Sequence, residues 1–221
     1  GRFRGDSYYI NVNAPIPHGR LTLFRYALDL STNTPTRPTV PLSSQTTGAR
    51  LDGWYYGDAL SLEWTASFAA QQDYADNSSE FSARYWLVEG RAGFDDWDLT
   101  LRAESLGGDG ETAFQTPLAT LHKFQGATDV FLQTPPEGVL DRSVAIAWRM
   151  GSLGPFRNLT TKTRFHWFHP AGSGDRYGTE VNFSVATRVG GFGLKATFAR
   201  YDAQTLQTDT TRFYLSLSRR F

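Results

Sequence analysis

Apolar and polar residues alternate along stretch after stretch of this chain. In ALSLEWTASFAAQ, Leu60, Leu62, Trp64, Ala66 and Phe68 fall on one side of an extended backbone, and Ser61, Glu63, Thr65, Ser67 and Gln71 on the other. LTTKTRFHWF sets Leu159, Thr161, Thr163, Phe165 and Trp167 against Thr160, Lys162, Arg164 and His166. TEVNFSVATRV and TRFYLSLSRRF repeat the pattern, the latter with Phe213, Leu215, Leu217 and Phe221 opposite Arg212, Tyr214, Ser216, Ser218 and Arg220. Successive side chains of a strand point to opposite sides, so each stretch reads as a strand with one apolar and one polar face. Eleven strands are predicted, at 6–14, 20–31, 47–57, 59–72, 80–94, 97–106, 139–151, 159–170, 179–190, 192–203 and 211–221. Many reach ten residues or more, against a globular mode of ~5–6. Tilted strands that cross a bilayer need ~9–11.

The connections separate a membrane barrel from a soluble barrel around a greasy ligand. Traced back from Phe221 they alternate in length: DAQTLQTD is long and VGGFG tight, HPAGSGDRYG long and GSLGPFRN shorter, 107–138 very long and FDDW tight, QQDYADNSSE long and YYGD tight. One end of the sheet therefore carries turns and the other carries loops, the layout of outer-membrane barrels. Aromatic residues gather near strand ends (Trp54, Tyr55, Tyr56, Phe94, Trp97, Trp167, Phe168 and Phe192), as interfacial girdles require. The mean hydropathy of −0.40 and the lack of a long apolar run exclude a helical membrane protein and leave a half-apolar barrel open. The expectation is all-β: an antiparallel transmembrane β-barrel in the bacterial outer membrane, residues 1–221 forming a single domain. Barrels of one bacterial chain have even strand numbers. The odd count and the position of the last strand predict at least one further strand upstream, so the chain reads as the C-terminal part of a larger barrel. Its expected partners are outer-membrane lipid and lipopolysaccharide, and the barrel assembly machinery through the terminal Phe221.

Cysteine is absent, which removes disulfides, thiolate metal ligands and thiol nucleophiles. His166 and His169 point to opposite faces, and with His18 and His122 they form no ligand cluster. Glu63 and Glu89 are expected in salt bridges across the wall, not as an acid–base pair. No catalytic group, metal, cofactor or nucleic-acid site is expected. The net charge is zero, but residues 1–141 hold 10 Lys+Arg against 18 Asp+Glu and residues 142–221 hold 12 against 4. By parity, the polar face of the last five strands carries Arg149, Lys162, Arg164, Arg188, Lys195, Arg212 and Arg220 against Asp141 and Glu180. The earlier strands mix Arg25, Arg50, Arg91 and Arg102 with Asp29, Asp52, Glu63, Glu89, Asp98 and Glu104. A lumen with one basic and one mixed wall favours anions, unless each base is neutralised by a neighbouring acid.

One stretch breaks the period of two. AFQTPLATLHKFQGATDVFLQTPP, residues 113–136, has Thr116 to cap a helix that Pro117 begins, with Leu118, Leu121 and Phe124 along it and Gly126 closing it. Long loops without strand pattern are usually functional or disordered. This one is too apolar to sit in water, so residues 107–138 are expected as a long extracellular loop that folds into the barrel as a constriction, bringing Thr116, Pro117, His122, Lys123 and Phe124 toward the pore; a lid over the rim is the alternative.

LGGDGETAFQTPLATLHKFQGATDVFLQTPPEGVLD resembles the signature segment of the alginate export family of outer-membrane barrels, most closely in FQTPLATLHKFQG and in Phe131, Leu132, Thr134, Pro135, Gly138 and Asp141. Ala127 departs from that family's pattern. The resemblance implies a barrel of about 18 strands and a porin-like role, since the family includes many porin-like members. The functional expectation is passive passage of anionic solutes, such as uronate sugars or other organic acids. Two alternatives stand beside it: dedicated export of an anionic polysaccharide such as alginate, with envelope-complex partners, and a plugged structural or adhesive barrel.

Overall fold

The computed structural model describes residues 3–32, 43–75, 77, 80–116, 125–172 and 174–219. Eleven strands form one antiparallel sheet in strict sequence order. They are β1 (Phe3–Ile16), β2 (Gly19–Thr32), β3 (Ser44–Tyr56), β4 (Ser61–Asp73), β5 (Ser82–Phe94), β6 (Trp97–Gly107), β7 (Gly138–Leu153), β8 (Phe156–His169), β9 (Gly178–Val189), β10 (Phe192–Ala203) and β11 (Thr210–Arg219). Among the described residues there is no helix, and β1 and β11 do not pair with each other. The molecule is thus an open, partial barrel. Each predicted strand exists, within a few residues at either end.

The turns follow from local chemistry. Gly190 and Gly191 both lie at positive φ, 54° and 86°, the backbone a two-residue hairpin turn needs to match strand twist. His18 and Asp95 take the same left-handed region in the 17–18 and 95–96 turns. Near its turn, β7 shifts register against β8 around Gly151.

The apolar faces read from the sequence point away from the concave side and stay accessible: Phe68 is 53% exposed, Phe183 44% and Leu215 71%. A soluble barrel around a ligand would bury them. At the turn end Trp97 and Trp148 stack on the outside, ring centroids 5.2 Å apart.

The packed core lies inside the barrel, on the loop side. Leu106, Val139, Phe168 and Tyr201 sit at the loop ends of β6, β7, β8 and β10 and close over Phe114 and Phe131 of the long connection. Parity puts these wall residues on the polar side. They are apolar because at this level the inner face meets protein instead of water.

Candidate functional site

The inner face of the partial barrel holds two electrostatically different walls. Over β3 to β6 every inward-facing arginine, Arg50, Arg91 and Arg102, has a carboxylate. Arg50 forks onto Asp52 through Nε at 3.0 Å and Nη2 at 2.8 Å. Arg91 reaches Glu63 at 3.0 Å and Asp98 at 2.9 Å. Arg102 reaches Glu89 at 3.1 Å and Glu104 at 2.7 Å. Glu63 and Glu89 are therefore wall ion pairs, as expected. Two members of the mixed wall are corrected. Arg25 and Asp29 lie on the outward face with Leu23, because their register partners Ile10 and Asp6 belong to the outward side of β1, and Arg25 donates to the Gln45 side chain at 2.8 Å. The lipid-facing side of β2 near the loop end is simply not apolar.

The basic wall is only partly neutralised. Arg149 is paired, its Nη1 on the Asp98 carboxylate of β6. Arg212 is paired with Asp129 of the long connection at 3.0 Å. Arg164 donates to the Ser143 hydroxyl at 3.2 Å. Lys162, Arg188 and Lys195 are exposed on the inner face and have no ion pair or side-chain hydrogen bond among the described residues. Arg220 lies outside the described residues.

The two acids of this wall are committed elsewhere. Asp141, buried, accepts from His166 Nδ1 at 2.9 and 3.0 Å. The other ring nitrogen lies 3.2 Å from the Asn182 amide. Glu180, also buried, accepts from the Ala127 amide at 2.6 Å and from the Thr128 amide and hydroxyl.

Glu180 thereby fastens the long connection to the wall, and its neighbours do the same. Gln71 of β4 exchanges hydrogen bonds with Gln115, at 2.6 and 2.9 Å. Gln125 donates to Glu104 of β6 at 2.7 Å. The Tyr214 hydroxyl of β11 lies 2.9 Å from the Ala127 carbonyl and 2.8 Å from the Asp129 carboxylate. Phe131 packs on Phe168 and Tyr201, with centroids 4.5 and 5.9 Å away. Residues 125–129 thus connect β6 to β11, five strand spacings apart. At ~4.8 Å per spacing a flat sheet would separate them by ~24 Å, and four residues of chain cover at most ~14 Å. Sheet curvature and long side chains make up the difference, so the segment runs along the concave side. Gly126 is needed here: its φ is +89°, and a Cβ would come within 2.5 Å of the Glu180 carboxylate.

Thr116 is exposed, with no side-chain hydrogen bond among the described residues. Pro117, His122, Lys123 and Phe124 lie outside the described residues, as does most of the helix expected there. The clamp itself, formed by Gln125, Thr128, Asp129 and Phe131, did not stand out in the sequence reading. Its available signals were Gly126 beside polar residues and an apolar residue at each inward strand end.

Outside the strands, Asp109 is held below the usual carboxylate range by the amides of Thr112 and Glu111. Burial pushes the Tyr177 phenol up to about 12, with Glu137 adding to it. Two hollows open on the inner face. One of about 360 Å³ is lined by Glu63, Glu89, Arg91, Asp98, Lys162 and Arg164 among others. The second, about 390 Å³, has Arg188, Lys195, Ser216 and Ser218 in its lining. Among the described residues no group of three or more His, Asp or Glu converges as metal ligands would.

This architecture matches solved bacterial channels. OccK9 (OpdG) of Pseudomonas aeruginosa shares it with a TM-score of 0.71 at 15% identity, over 97% of this chain and 53% of that one. OccAB4 of Acinetobacter baumannii gives 0.70 at 14% identity, over 96% and 52%. The fold is that of outer-membrane porins. OpdK of Pseudomonas aeruginosa, crystallised with vanillate, gives 0.60 at 13% identity, over 97% and 68%. The chain spans about half the length of the first two porins. No family model matches the sequence, and neither does any curated protein. These structures are Occ-type porins and not alginate exporters, so the resemblance carried by residues 106–141 is corrected to the coarser one: an outer-membrane porin fold, to which the outward apolar band is suited.

Proposed function

We propose that this chain lines a passive outer-membrane channel for small anionic solutes, of the uronate-sugar and organic-acid class. The observation that carries this reading is the set of Lys162, Arg188 and Lys195, exposed on the inner face and without a carboxylate partner among the described residues, while Asp141 and Glu180 are engaged by His166 and by the long connection. Uncompensated cations along a low-dielectric wall raise the local concentration of anions. Vanillate, held by OpdK, is itself a carboxylate. Residues 107–138 act as an extracellular constriction within a single barrel domain, and the wall performs no chemistry and holds no cofactor. A segment fastened along the concave side favours small solutes over a polysaccharide chain.

The test is the reversal potential in planar bilayers under a salt gradient. The double substitution K162E/K195E shifts it from anion toward cation preference. An unchanged potential in a folded, conducting variant overturns the anion reading, and a purified protein that forms no conducting pore overturns the channel.

A further inference from the structure

The inner face has a third wall that the anion reading does not use. On β1 and β2 no charged side chain faces inward between Ser7 and Asn13 or between Thr22 and Leu28. The nearest inward charges, Arg20, Arg50 and Asp52, pair with one another. Rings and amides fill the neutral stretch. Phe24 and Tyr26 stack, with centroids 5.1 Å apart and planes 22° from parallel, and the ring of Tyr9 lies 5.4 Å from that of Tyr26. A Cβ at position 48 would come within 2.4 Å of the tip of the Phe24 ring, so Gly48 is what lets that ring rest against the wall. Tyr9 is 56% exposed, and Phe24 and Tyr26 are half-buried.

The amides beside these rings are held at one end only. The Tyr26 hydroxyl donates to Asn11 Oδ1 at 2.9 Å, and the Thr22 hydroxyl donates to Asn13 Oδ1 at 2.8 Å. Each amide is thereby oriented, and its NH2 group has no acceptor among the described residues. Asn11 and Asn13 share one face two residues apart, ~7 Å along the strand. Tyr26 faces Thr46 in register and Thr46 faces Gln71, the side chain that fastens Gln115 of the long connection. The patch therefore sits level with the clamp.

We propose that this patch is a subsite for the ring of a monosaccharide, with no requirement for a charge on it. A pyranose turns weakly positive C–H groups toward the negative face of an aromatic ring, and its hydroxyls both donate and accept. Both needs are met here: ring faces from Phe24, Tyr26 and Tyr9, donors from Asn11 and Asn13, and acceptor lone pairs on the Tyr26 and Thr22 oxygens. An aromatic acid also stacks on such rings, but it leaves the amides unused and finds no cation within the patch. The proposal rests on the channel reading for a lumen that admits solute, and not on the anion preference of the opposite wall.

The test is saturation-transfer NMR on the purified protein in a detergent without sugar groups, with three probes: glucose, sorbitol, which keeps the hydroxyls and lacks the ring, and benzoate, which keeps a flat ring and lacks the hydroxyls. Glucose binds more tightly than either of the others. Y9A/Y26A weakens glucose binding about tenfold, N11A/N13A weakens it about fivefold or more, and R25Q, on the outward face, leaves it unchanged. Absence of glucose binding, sorbitol binding as tightly as glucose, benzoate binding more tightly than glucose, or unchanged glucose binding in the folded double variants overturns the proposal. Should Y9A/Y26A not fold, N11A/N13A and the comparison of glucose with sorbitol on the unsubstituted protein decide. A protein that conducts anions and binds no glucose sinks the subsite alone, and one that binds glucose without conducting sinks the channel reading.

Discussion

Glu180 holds more of the inner architecture than an acid on a polar strand face would suggest. A buried carboxylate is costly unless several donors satisfy it, and here two amides and a hydroxyl do so. In E180A the amides of Ala127 and Thr128 lose their acceptor, at roughly 2–5 kcal/mol for donors left buried. Hydrogen-exchange protection at these two amides then falls at least about 30-fold. The variant E180Q, which keeps one acceptor oxygen, loses less. Tyr177 supplies a pH-dependent counterpart. Its hydroxyl donates to the Gly138 carbonyl at 3.1 Å, and its phenol is pushed up to about 12, first by burial and then by Glu137. An acid with a raised pKa binds its proton more tightly in the folded state. Its stabilisation is therefore complete below the ordinary tyrosine value of ~10 and is lost as pH rises through about 12. Heat-induced unfolding followed from about pH 9 to about pH 12 shows this loss in the native chain and a smaller one in Y177F.

At the scale of the element, each strand has two unlike solvents. The outward residues of β9 and β11 face lipid in the porin setting. Placing arginine at Phe183 or Leu215 costs ~2–4 kcal/mol if the site is near the bilayer midplane, and less toward either interface. Denaturant titration of folding into lipid vesicles measures this, and S184R, on the inner face of β9, serves as the contrast with a far smaller cost. The inner face is divided along its length. Toward the turns it is charged and hydrated. Toward the loops it becomes aromatic, with Phe168 and Tyr201 fully buried. That change occurs where the long connection replaces water as the neighbour, so one strand satisfies lipid, water and protein in different segments.

For the whole molecule, the charge arrangement makes a prediction about ionic strength. The unneutralised lysines and Arg188 act through solvent, where screening lengths are ~10 Å at 0.1 M salt and ~3 Å at 1 M. If the proposed anion channel is right, its anion preference is expected to be strongest in dilute salt and to decline as salt rises, whereas the paired arginines of β3 to β6 contribute little at any concentration. Bilayer recordings across that salt series check it. Releasing the clamp is expected to act on size and not on sign: F131A removes the ring packed on Phe168 and Tyr201, and conductance rises while the sign of the reversal potential is kept.

Strand positions, hairpin turns and the sidedness of each strand are local properties. They follow from a period of two and from glycine-rich turns, which is why all eleven strands and the lipid-facing residues were legible in the sequence alone. Parity also placed Lys162, Arg164, Arg188 and Lys195 on the inner wall. What it could not assign were partners, because an ion pair is decided by register between strands and by loops distant in sequence. Arg149 finds Asp98 and Arg212 finds Asp129 only after β6 lies beside β7 and the long connection has folded inward. Arg25 and Asp29, grouped with the mixed inner wall, share the outward face of β2 with Leu23, as its pairing with β1 shows. The clamp around Glu180 is the clearest case of a tertiary decision. Its donors lie more than fifty residues from the carboxylate, and a buried acid becomes tolerable only when the fold brings those donors to it.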